Sequence, residues 1–159
     1  MDPLVEFWRD ADDTAPERMR TQMDQLLSTA SYSDTRTMFE RASLEDFLGD
    51  EAAAVPLYEA ALSGGLDVDR ENQARIQLAS SLRNVGRLRE AFEVLQQFEF
   101  SSEYISARDA FAALTLRDLG EGERALQQAL HAAHPALGKY RRAVEAYAAE
   151  LSTRPEGNS

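Results

Sequence analysis

The sequence predicts an all-α fold: a right-handed superhelix of about three helix pairs, with N-terminal helices before the pairs and a C-terminal capping helix after them. The main observation is a sequence motif that occurs three times, in which an Ala precedes an apolar residue and Gly, and a second Ala follows. Its residues are Ala42, Leu48, Gly49 and Ala54; Ala79, Val85, Gly86 and Ala91; and Ala113, Leu119, Gly120 and Ala125. The glycines lie 37 and 34 residues apart, an interval typical of stacked helix pairs. In addition, the alternation of apolar and polar residues that indicates strands does not occur.

Composition and charge narrow the classes of function. The chain of 159 residues has a net charge of −11, and residues 1–71 account for it with 17 acidic and 6 basic residues. Affinity for nucleic acid comes largely from Lys and Arg on phosphates, so we expect no nucleic-acid partner. No apolar run approaches the roughly 20 residues of a membrane span, and the first residues do not look like a signal peptide. We therefore expect no membrane partner and a cytoplasmic location.

Two residue types add to this composition. Cys is absent, which excludes disulfides and thiolate metal sites. Arg outnumbers Lys by 16 to 1, a bias that is typical of a GC-rich bacterial genome. Neither observation indicates a cofactor.

The first predicted helix is a short amphipathic segment that starts near Pro3 and carries Leu4, Val5, Phe7 and Trp8. We expect it to cover the apolar end of the stack, because the terminal repeats of a solenoid need a cap. The alternative is that it docks into the groove of a neighbouring copy and forms a homodimer.

The second N-terminal helix is predicted within residues 14–33. Thr14 and Glu17 have the spacing of a capping box, in which the two side chains bond free N–H groups at the helix start. The apolar stripe of this helix consists of Met19, Met23, Leu26 and Leu27.

Three helix pairs are predicted over residues 35–65, 70–101 and 103–134. Ser33 or Asp34 caps the first helix. Each first helix ends at a glycine of the motif, because Gly takes the left-handed conformation that satisfies the last carbonyls without a Cβ clash. The predicted helices are 35–48 and 51–63, 70–85 and 88–99, and 103–119 and 122–133. Pro56 lies inside the second of these helices, where it costs about 3 kcal/mol unless the helix begins late or bends.

A capping helix is predicted over residues 136–152, and it completes a single domain of residues 1–153. The apolar stripe of this helix consists of Tyr140, Val144, Tyr147 and Leu151. Residues 154–159 are rich in Pro, Gly, Asn and Ser, and we expect a disordered tail there.

The turn and second helix of each pair resemble the tetratricopeptide repeat (TPR) family. The matching segment of the second pair is residues 83–95, RNVGRLREAFEVL. The first pair repeats it as Leu48-Gly49 followed by Ala54, Tyr58, Ala61 and Leu62. The resemblance covers residues 35–134 and implies a small bacterial TPR protein that binds other proteins. The sequence departs from the family early in the first helices, where a large aromatic is replaced by Met38, Arg75 and Asp109.

In TPR proteins the first helix of each pair lines the concave face. The resemblance therefore implies a groove on these helices that binds a peptide or helix of another protein. Its residues, carried over by spacing, are Arg36, Phe39, Glu40, Ser43, Gln73, Ile76, Gln77, Ser80, Arg83, Asn84, Ala110, Phe111, Leu114 and Arg117. Phe47 and Asp118 extend the same face.

One Arg in each pair suggests what the ligand carries. Arg presents a fork of donors to a carboxylate, and Asn and Gln bond a peptide backbone, so we expect a peptide that bears a carboxylate. The alternative is that Arg36, Arg83 and Arg117 are surface charges that pair with acidic neighbours. Those neighbours are Glu40, Asp46 and Asp118.

His131 and His134 are the residues that most resemble a metal site, because both lie on one helical face. The interpretation we prefer is that both rings stabilise the last turn of a helix, where a partly cationic group suits the helix dipole. No suitable third ligand is nearby except Glu121 or Glu123.

Other polar pairs do not suggest catalysis. Adjacent carboxylates such as Glu45-Asp46 and Asp50-Glu51 do not share a helix face, and we interpret them as solvated charges and caps. Ser80 and Ser81 have no His beside them in the sequence. The sequence thus predicts no catalytic, cofactor or metal site. It predicts an adaptor that binds another protein, with a self-assembling homodimer as the alternative.

Overall fold

A computed structural model of the chain describes residues 2–151. Within that range the chain is built of helices and has no strand, as predicted. The helices are α1 (Pro3–Arg9), α2 (Pro16–Thr29), α3 (Asp34–Phe47), α4 (Glu51–Gly64), α5 (Val68–Asn84), α6 (Leu88–Gln96), α7 (Ile105–Asp118), α8 (Gly122–Ala132) and α9 (Arg141–Leu151). The chain divides into two compact units, one up to Ser81 and the other from Leu82, and α5 contributes residues to both.

In the first unit, α1 packs as a cap. Leu4 is buried in one cluster with Met19 and Met23 of α2 and Leu44 of α3, and Trp8 lies against the edge of this cluster. Burying a Leu or Met side chain stabilises the folded state by about 2 kcal/mol. The predicted cap is therefore confirmed. Of the predicted apolar stripe of α2, Met19, Met23 and Leu27 are buried, whereas Leu26 is half-buried.

The predicted capping box of α2 is wrong. The N-cap residue is Ala15, whose side chain makes no capping bond, and the helix starts one residue later at Pro16. Thr14 turns away, because its hydroxyl donates to the carboxylate of Asp12 at 2.6 Å. Glu17 binds Arg20 instead, with the guanidinium 2.8 Å from its carboxylate.

The first helix pair, α3 and α4, packs through small residues as the repeated motif predicts. Ala42 and Ala54 are both fully buried. Tyr58 is fully buried beside them, and its hydroxyl donates to Ser43 at 3.4 Å. Ser33 caps α3, since its hydroxyl accepts a hydrogen bond from the N–H of Arg36 at 3.2 Å.

Pro56 lies inside α4 and does not end it. A proline removes the bond that its N–H would donate to the carbonyl four residues earlier, which here belongs to Ala52. Both residues are exposed, so water can bond to that carbonyl. The cost of the proline is thereby limited, and the helix continues to Gly64.

The glycines of the repeated motif have the left-handed conformation that the sequence predicts. Gly49, Gly86 and Gly120 have φ angles of +79°, +82° and +82°. After each, the next N–H bonds back to a carbonyl near the helix end, as Asp50 does to Glu45 at 2.8 Å. This is the Schellman motif, which ends each first helix and turns the chain into the second.

The second unit contains α6 to α9 with three short 3₁₀ turns. The turns are Ser102–Tyr104, His134–Ala136 and Gly138–Tyr140. They make α7 and α9 begin later than predicted, at Ile105 and Arg141. Ala113 and Ala125 are buried where α7 packs on α8.

The predicted apolar stripe of the last helix is wrong. Tyr140 and Tyr147 are 64% and 67% exposed, and the buried residue of α9 is Ala148. Tyr140 lies in the 3₁₀ turn that precedes α9, whereas Val144 and Leu151 of the predicted stripe are half-buried. The predicted end of this helix at residue 152 and the tail 154–159 lie outside the described residues.

The loop between α7 and α8 offers a paired test of the turn geometry. At Gly120 an added Cβ meets no atom but is strained by the positive φ, whereas at Gly122, the first residue of α8, the space is open and the φ is ordinary. Gly120→Ala is expected to lower the free energy of unfolding by about 1 kcal/mol, and Gly122→Ala to leave it unchanged or raise it by up to about 1 kcal/mol. Urea unfolding of both variants measures this difference. Equal effects would contradict the assigned turn.

Candidate binding cleft

Three helices of the first unit surround a cleft of about 480 Å³. One wall is α3, and the opposite wall is the first part of α5, with α1 closing one side. The lining residues are Trp8, Phe39, Glu40, Ser43, Asp46, Phe47, Asp69, Arg70, Gln73 and Gln77. A cavity of this size can hold one or two side chains of a partner.

Aromatic rings form the apolar part of the cleft. The Trp8 and Phe47 rings meet edge to face, with centroids 6.1 Å apart. Phe39 is buried and packs on Tyr58, with centroids 6.3 Å apart, whereas Phe47 is 44% exposed. The cleft therefore presents an apolar surface to solvent, held in place by rings that are themselves packed.

A chain of polar contacts fixes Trp8 in its position. The indole N–H donates to Glu40 at 3.0 Å, and Glu40 also lies 3.6 Å from the guanidinium of Arg36. Arg36 in turn binds Asp2 at 2.5 Å and lies over the ring of Tyr32 at 4.3 Å. These contacts join α1 to α3, so the Trp8 side of the cleft is formed before any partner binds.

Asp2 is the end of this chain. Its carboxylate accepts the hydroxyl of Tyr32 at 2.5 Å and the N–H of Leu4 at 3.1 Å, so it also caps α1. The hydrogen bonds from Tyr32 and Arg36 lower the pKa of Asp2 from 3.8 to about 2. A carboxyl with a lowered pKa stabilises the fold above its unfolded pKa, and this contribution is lost as the pH falls toward the folded pKa.

Asp46 is a half-buried carboxylate at the cleft. It accepts the hydroxyl of the fully buried Ser81 at 2.9 Å. Burial raises its pKa, and the charge of Glu51 adds to the increase. The interpretation of Asp46 as a solvated charge is therefore wrong, while Asp50 is a cap as predicted, accepting the N–H of Ala53 at 3.1 Å.

The α5 wall carries amides and a second carboxylate. Gln73 donates to Asp69 at 2.8 Å. The side-chain amide oxygen of Gln77 is buried and has no hydrogen-bond partner among residues 2–151. Arg70 is the basic residue of the lining, and its guanidinium binds Asp67 at 2.5 Å.

The structure brings together six of the residues that the sequence assigns to the groove or to its extension. They are Phe39, Glu40, Ser43, Phe47, Gln73 and Gln77. Arg36 lies on the same helix but is engaged by Asp2. Ile76 is buried, and Ser80 is half-buried on α5.

The other predicted residues belong to the second unit. Arg83 and Arg117 both bind Asp118, at 2.6 and 3.1 Å, and Asn84 ends α5. Phe111 is half-buried on α7. Ala110, Leu114 and Arg117 line an apolar groove of about 510 Å³ against α8.

Sequence reasoning missed Trp8, Asp46, Asp69 and Arg70. The helical period could have found Asp46, which lies three residues after Ser43, and also Asp69 and Arg70, which lie four and three residues before Gln73. Trp8 comes from a different helix, and no periodic signal places it at the cleft.

The two histidines contact carboxylates in the second unit. Asp109 is fully buried and accepts from Arg108 at 2.7 Å and Gln128 at 2.6 Å, and His131 lies 2.5 Å from it. The rings of His131 and His134 are 4.4 Å apart. Within the part of the chain that the structure describes, no group of three or more His, Asp or Glu residues has the arrangement of a metal site.

These observations define a class: helix pairs joined by glycine turns, with a cleft between the first helices α3 and α5. The model of the tetratrico peptide repeat family matches residues 35–151, from α3 to the end of α9. The chain belongs to the tetratricopeptide repeat family, whose members are protein–protein interaction modules. No curated protein and no solved structure matches the chain. No described helix is both long and apolar enough to cross a membrane.

The Asp2 contacts generate a prediction about acid. Asp2→Asn keeps the cap of α1 but removes the charge, so it is expected to lower the free energy of unfolding by about 1 kcal/mol at neutral pH. This difference from the wild type should shrink as the pH falls from about 4 to about 2, because the wild-type carboxylate is then protonated. Urea unfolding at several pH values, followed by Trp8 emission, measures it.

The matched control is Asp24→Asn, which removes a carboxylate that binds Arg41 on the exposed surface. It is expected to change the free energy of unfolding little at any pH. A deficit of Asp2→Asn that stays constant from neutral to acid pH would show that the charge of Asp2 is not what stabilises α1.

Proposed function

We propose that this chain is a non-catalytic adaptor and that the cleft of the first unit holds a segment of a partner protein. The observation that carries the proposal is that one cleft collects aromatic rings, amides and carboxylates on three helices. Such a mixture of apolar surface and a few oriented polar groups is what a binding pocket requires. A cytoplasmic location is part of the proposal and is supported by the absence of Cys.

Preorganisation is the physical basis of binding. Trp8 and Phe39 are held by contacts within the chain, so a partner does not have to order these two side chains. Each ordered side chain would otherwise cost about 1 kcal/mol. Gln73 and Gln77 bring amide groups to the opposite wall, where they can bond the backbone of an extended or helical segment. We expect affinity of roughly micromolar strength for a lone peptide, because the area is small.

The arginines predicted to bind a carboxylate are occupied. Arg36 binds Asp2, and Arg83 and Arg117 bind Asp118. These pairs favour the alternative, in which the three arginines are structural charges. The partner's carboxylate is therefore left out of the proposed function.

A peptide display library tests the cleft. Twelve-residue peptides selected on the wild-type chain are expected to bind Phe47→Ala and Gln73→Ala at least about tenfold more weakly, since these variants remove apolar area and an amide from opposite walls. Fluorescence polarisation of the recovered peptides measures affinity. Val5→Ala, a truncation of an exposed apolar residue on α1 outside the cleft lining, serves as the control and should bind normally.

Selected peptides that bind all these variants equally would place the binding surface elsewhere and reject the cleft. Thermal unfolding of each variant guards against a trivial loss, because Phe47 is partly exposed and its truncation should leave the fold intact.

Self-assembly is a second candidate, and one observation favours it. The groove between α7 and α8 is almost entirely apolar, and Leu114 and Leu126 on its sides are exposed. Exposed apolar surfaces of this kind are common at interfaces between protein chains. The N-terminal helix is not the occupant that this candidate needs, since α1 packs within its own chain.

Mass measured against concentration separates the two candidates. If a second copy covers the groove of the second unit, the wild type dimerises at micromolar concentrations and Leu126→Glu is monomeric, because a buried unpaired charge opposes association. Analytical ultracentrifugation gives both masses. A wild type that stays monomeric up to about millimolar concentration removes this candidate.

A further inference from the structure

We infer that the cleft of the first unit selects a partner segment that carries an arginine side chain. The inference rests on the proposed function, because it takes the cleft as the binding site, and it adds the chemistry that the site recognises. The positive charge of this arginine is opposite to that of the carboxylate that the sequence analysis expects on the ligand.

Charge is the first argument. The cleft is lined by three carboxylates, Glu40, Asp46 and Asp69, and by one basic residue, Arg70. Glu40 is buried and already contacts Trp8 and Arg36. The charges that bind the arginine are therefore those of Asp46 and Asp69. Arg70 is directed to Asp67, which is not among the lining residues, at 2.5 Å. Residues 1–71 as a whole carry 17 acidic and 6 basic residues, so the surrounding surface attracts a cation as well.

Hydrogen-bond capacity is the second argument. The cleft contains acceptors that can take further hydrogen bonds: carboxylate oxygens, and the buried side-chain amide oxygen of Gln77, which has no partner within residues 2–151. Asp46 accepts one hydroxyl, from Ser81, and a carboxylate can accept about four hydrogen bonds. A guanidinium supplies five N–H donors and no acceptor. An arginine would therefore bring donors for the remaining acceptor capacity of Asp46.

The aromatic walls are the third argument, and they favour arginine over lysine. Trp8 and Phe47 meet edge to face, and Phe47 is 44% exposed at the cleft. A planar guanidinium stacks on aromatic rings and is weakly hydrated, whereas an ammonium is a compact and strongly hydrated charge. The same chain already shows this pairing, with the guanidinium of Arg36 4.3 Å from the ring of Tyr32.

The burial of Asp46 adds consistency. Its raised pKa shows that its charge is poorly solvated in the unliganded cleft. A cation placed beside it would replace the missing solvation, so binding stabilises the ionised form. The carboxylate gains more from a guanidinium than a fully hydrated surface carboxylate would.

Two blocked hexapeptides provide the test, acetyl-(Gly-Arg)₃-amide and acetyl-(Gly-citrulline)₃-amide. Citrulline keeps the shape and planarity of arginine and has no charge. Trp8 is the single tryptophan of the chain and lines the cleft, so its emission reports occupancy directly. We expect the arginine peptide to bind at least about tenfold more tightly than the citrulline peptide, and to lose affinity as salt rises.

Isosteric variants identify the carboxylates responsible. Asp46→Asn and Asp69→Asn each keep the side-chain shape and remove one charge, and each is expected to weaken the arginine peptide about three- to tenfold. The citrulline peptide should be affected much less. Asp69 is exposed, so its variant should fold even if Asp46→Asn does not. Glu59→Gln, at an exposed position of α4 outside the cleft lining, removes the same charge from the same unit and should bind normally.

The outcomes separate this inference from the proposed function. If both peptides bind equally, or neither binds, the preference for arginine is overturned; displayed peptides that still lose affinity on Phe47→Ala would then leave the cleft as a binding site. If Glu59→Gln weakens the arginine peptide as much as Asp69→Asn does, the attraction is a general surface effect and the inference fails. Displayed peptides that ignore Phe47→Ala and Gln73→Ala would reject the proposed function itself.

Discussion

The first unit depends on how one carboxylate, that of Asp2, is satisfied. It caps α1 through the N–H of Leu4 and binds Tyr32 and Arg36 beyond α2. A helix of about two turns, such as α1, is too short to be stable alone, so its stability depends on these bonds. With them, α1 has a fixed position and Trp8 reaches Glu40. The cleft is therefore a product of packing at the N-terminal end, and its chemistry is decided by contacts made before any ligand arrives.

The fold could be predicted because its signals are local. The glycines at 49, 86 and 120 end helices by adopting a positive φ, a property of a single residue, and the alanines beside them fit close helix packing. Boundaries were less predictable. The capping box at Thr14 failed because Asp12 competed for the same hydroxyl, and Tyr140 is not part of the helical stripe because it lies in a 3₁₀ turn before α9. Each error comes from a local structural feature that helix propensities do not encode.

The candidate site was only half predictable, for a related reason. Helical spacing located Phe39 and Gln73 on facing helices, but it could not reveal that Arg36 binds a residue 34 positions earlier. Ion-pair partners are set by tertiary structure, so a free guanidinium and a bound one have the same sequence pattern. Asp46 shows the same dependence on tertiary structure, because the hydroxyl that donates to it belongs to Ser81, 35 residues away. The inference that the ligand carries a positive charge rests on these pairings.

The polar cluster around Asp109 has a consequence for repeat engineering. In the first pair, the largest fully buried side chain is Tyr58 on α4, whose hydroxyl donates to Ser43. The third pair fully buries the carboxylate of Asp109 on α7, which contacts Arg108 of α7 and both Gln128 and His131 of α8. A buried carboxylate without its donors is costly. The helices of the third pair can therefore be transplanted into another solenoid only as a matched set. A hybrid that takes α7 alone would import the charge of Asp109 with Arg108 but without the contacts that Gln128 and His131 of α8 supply.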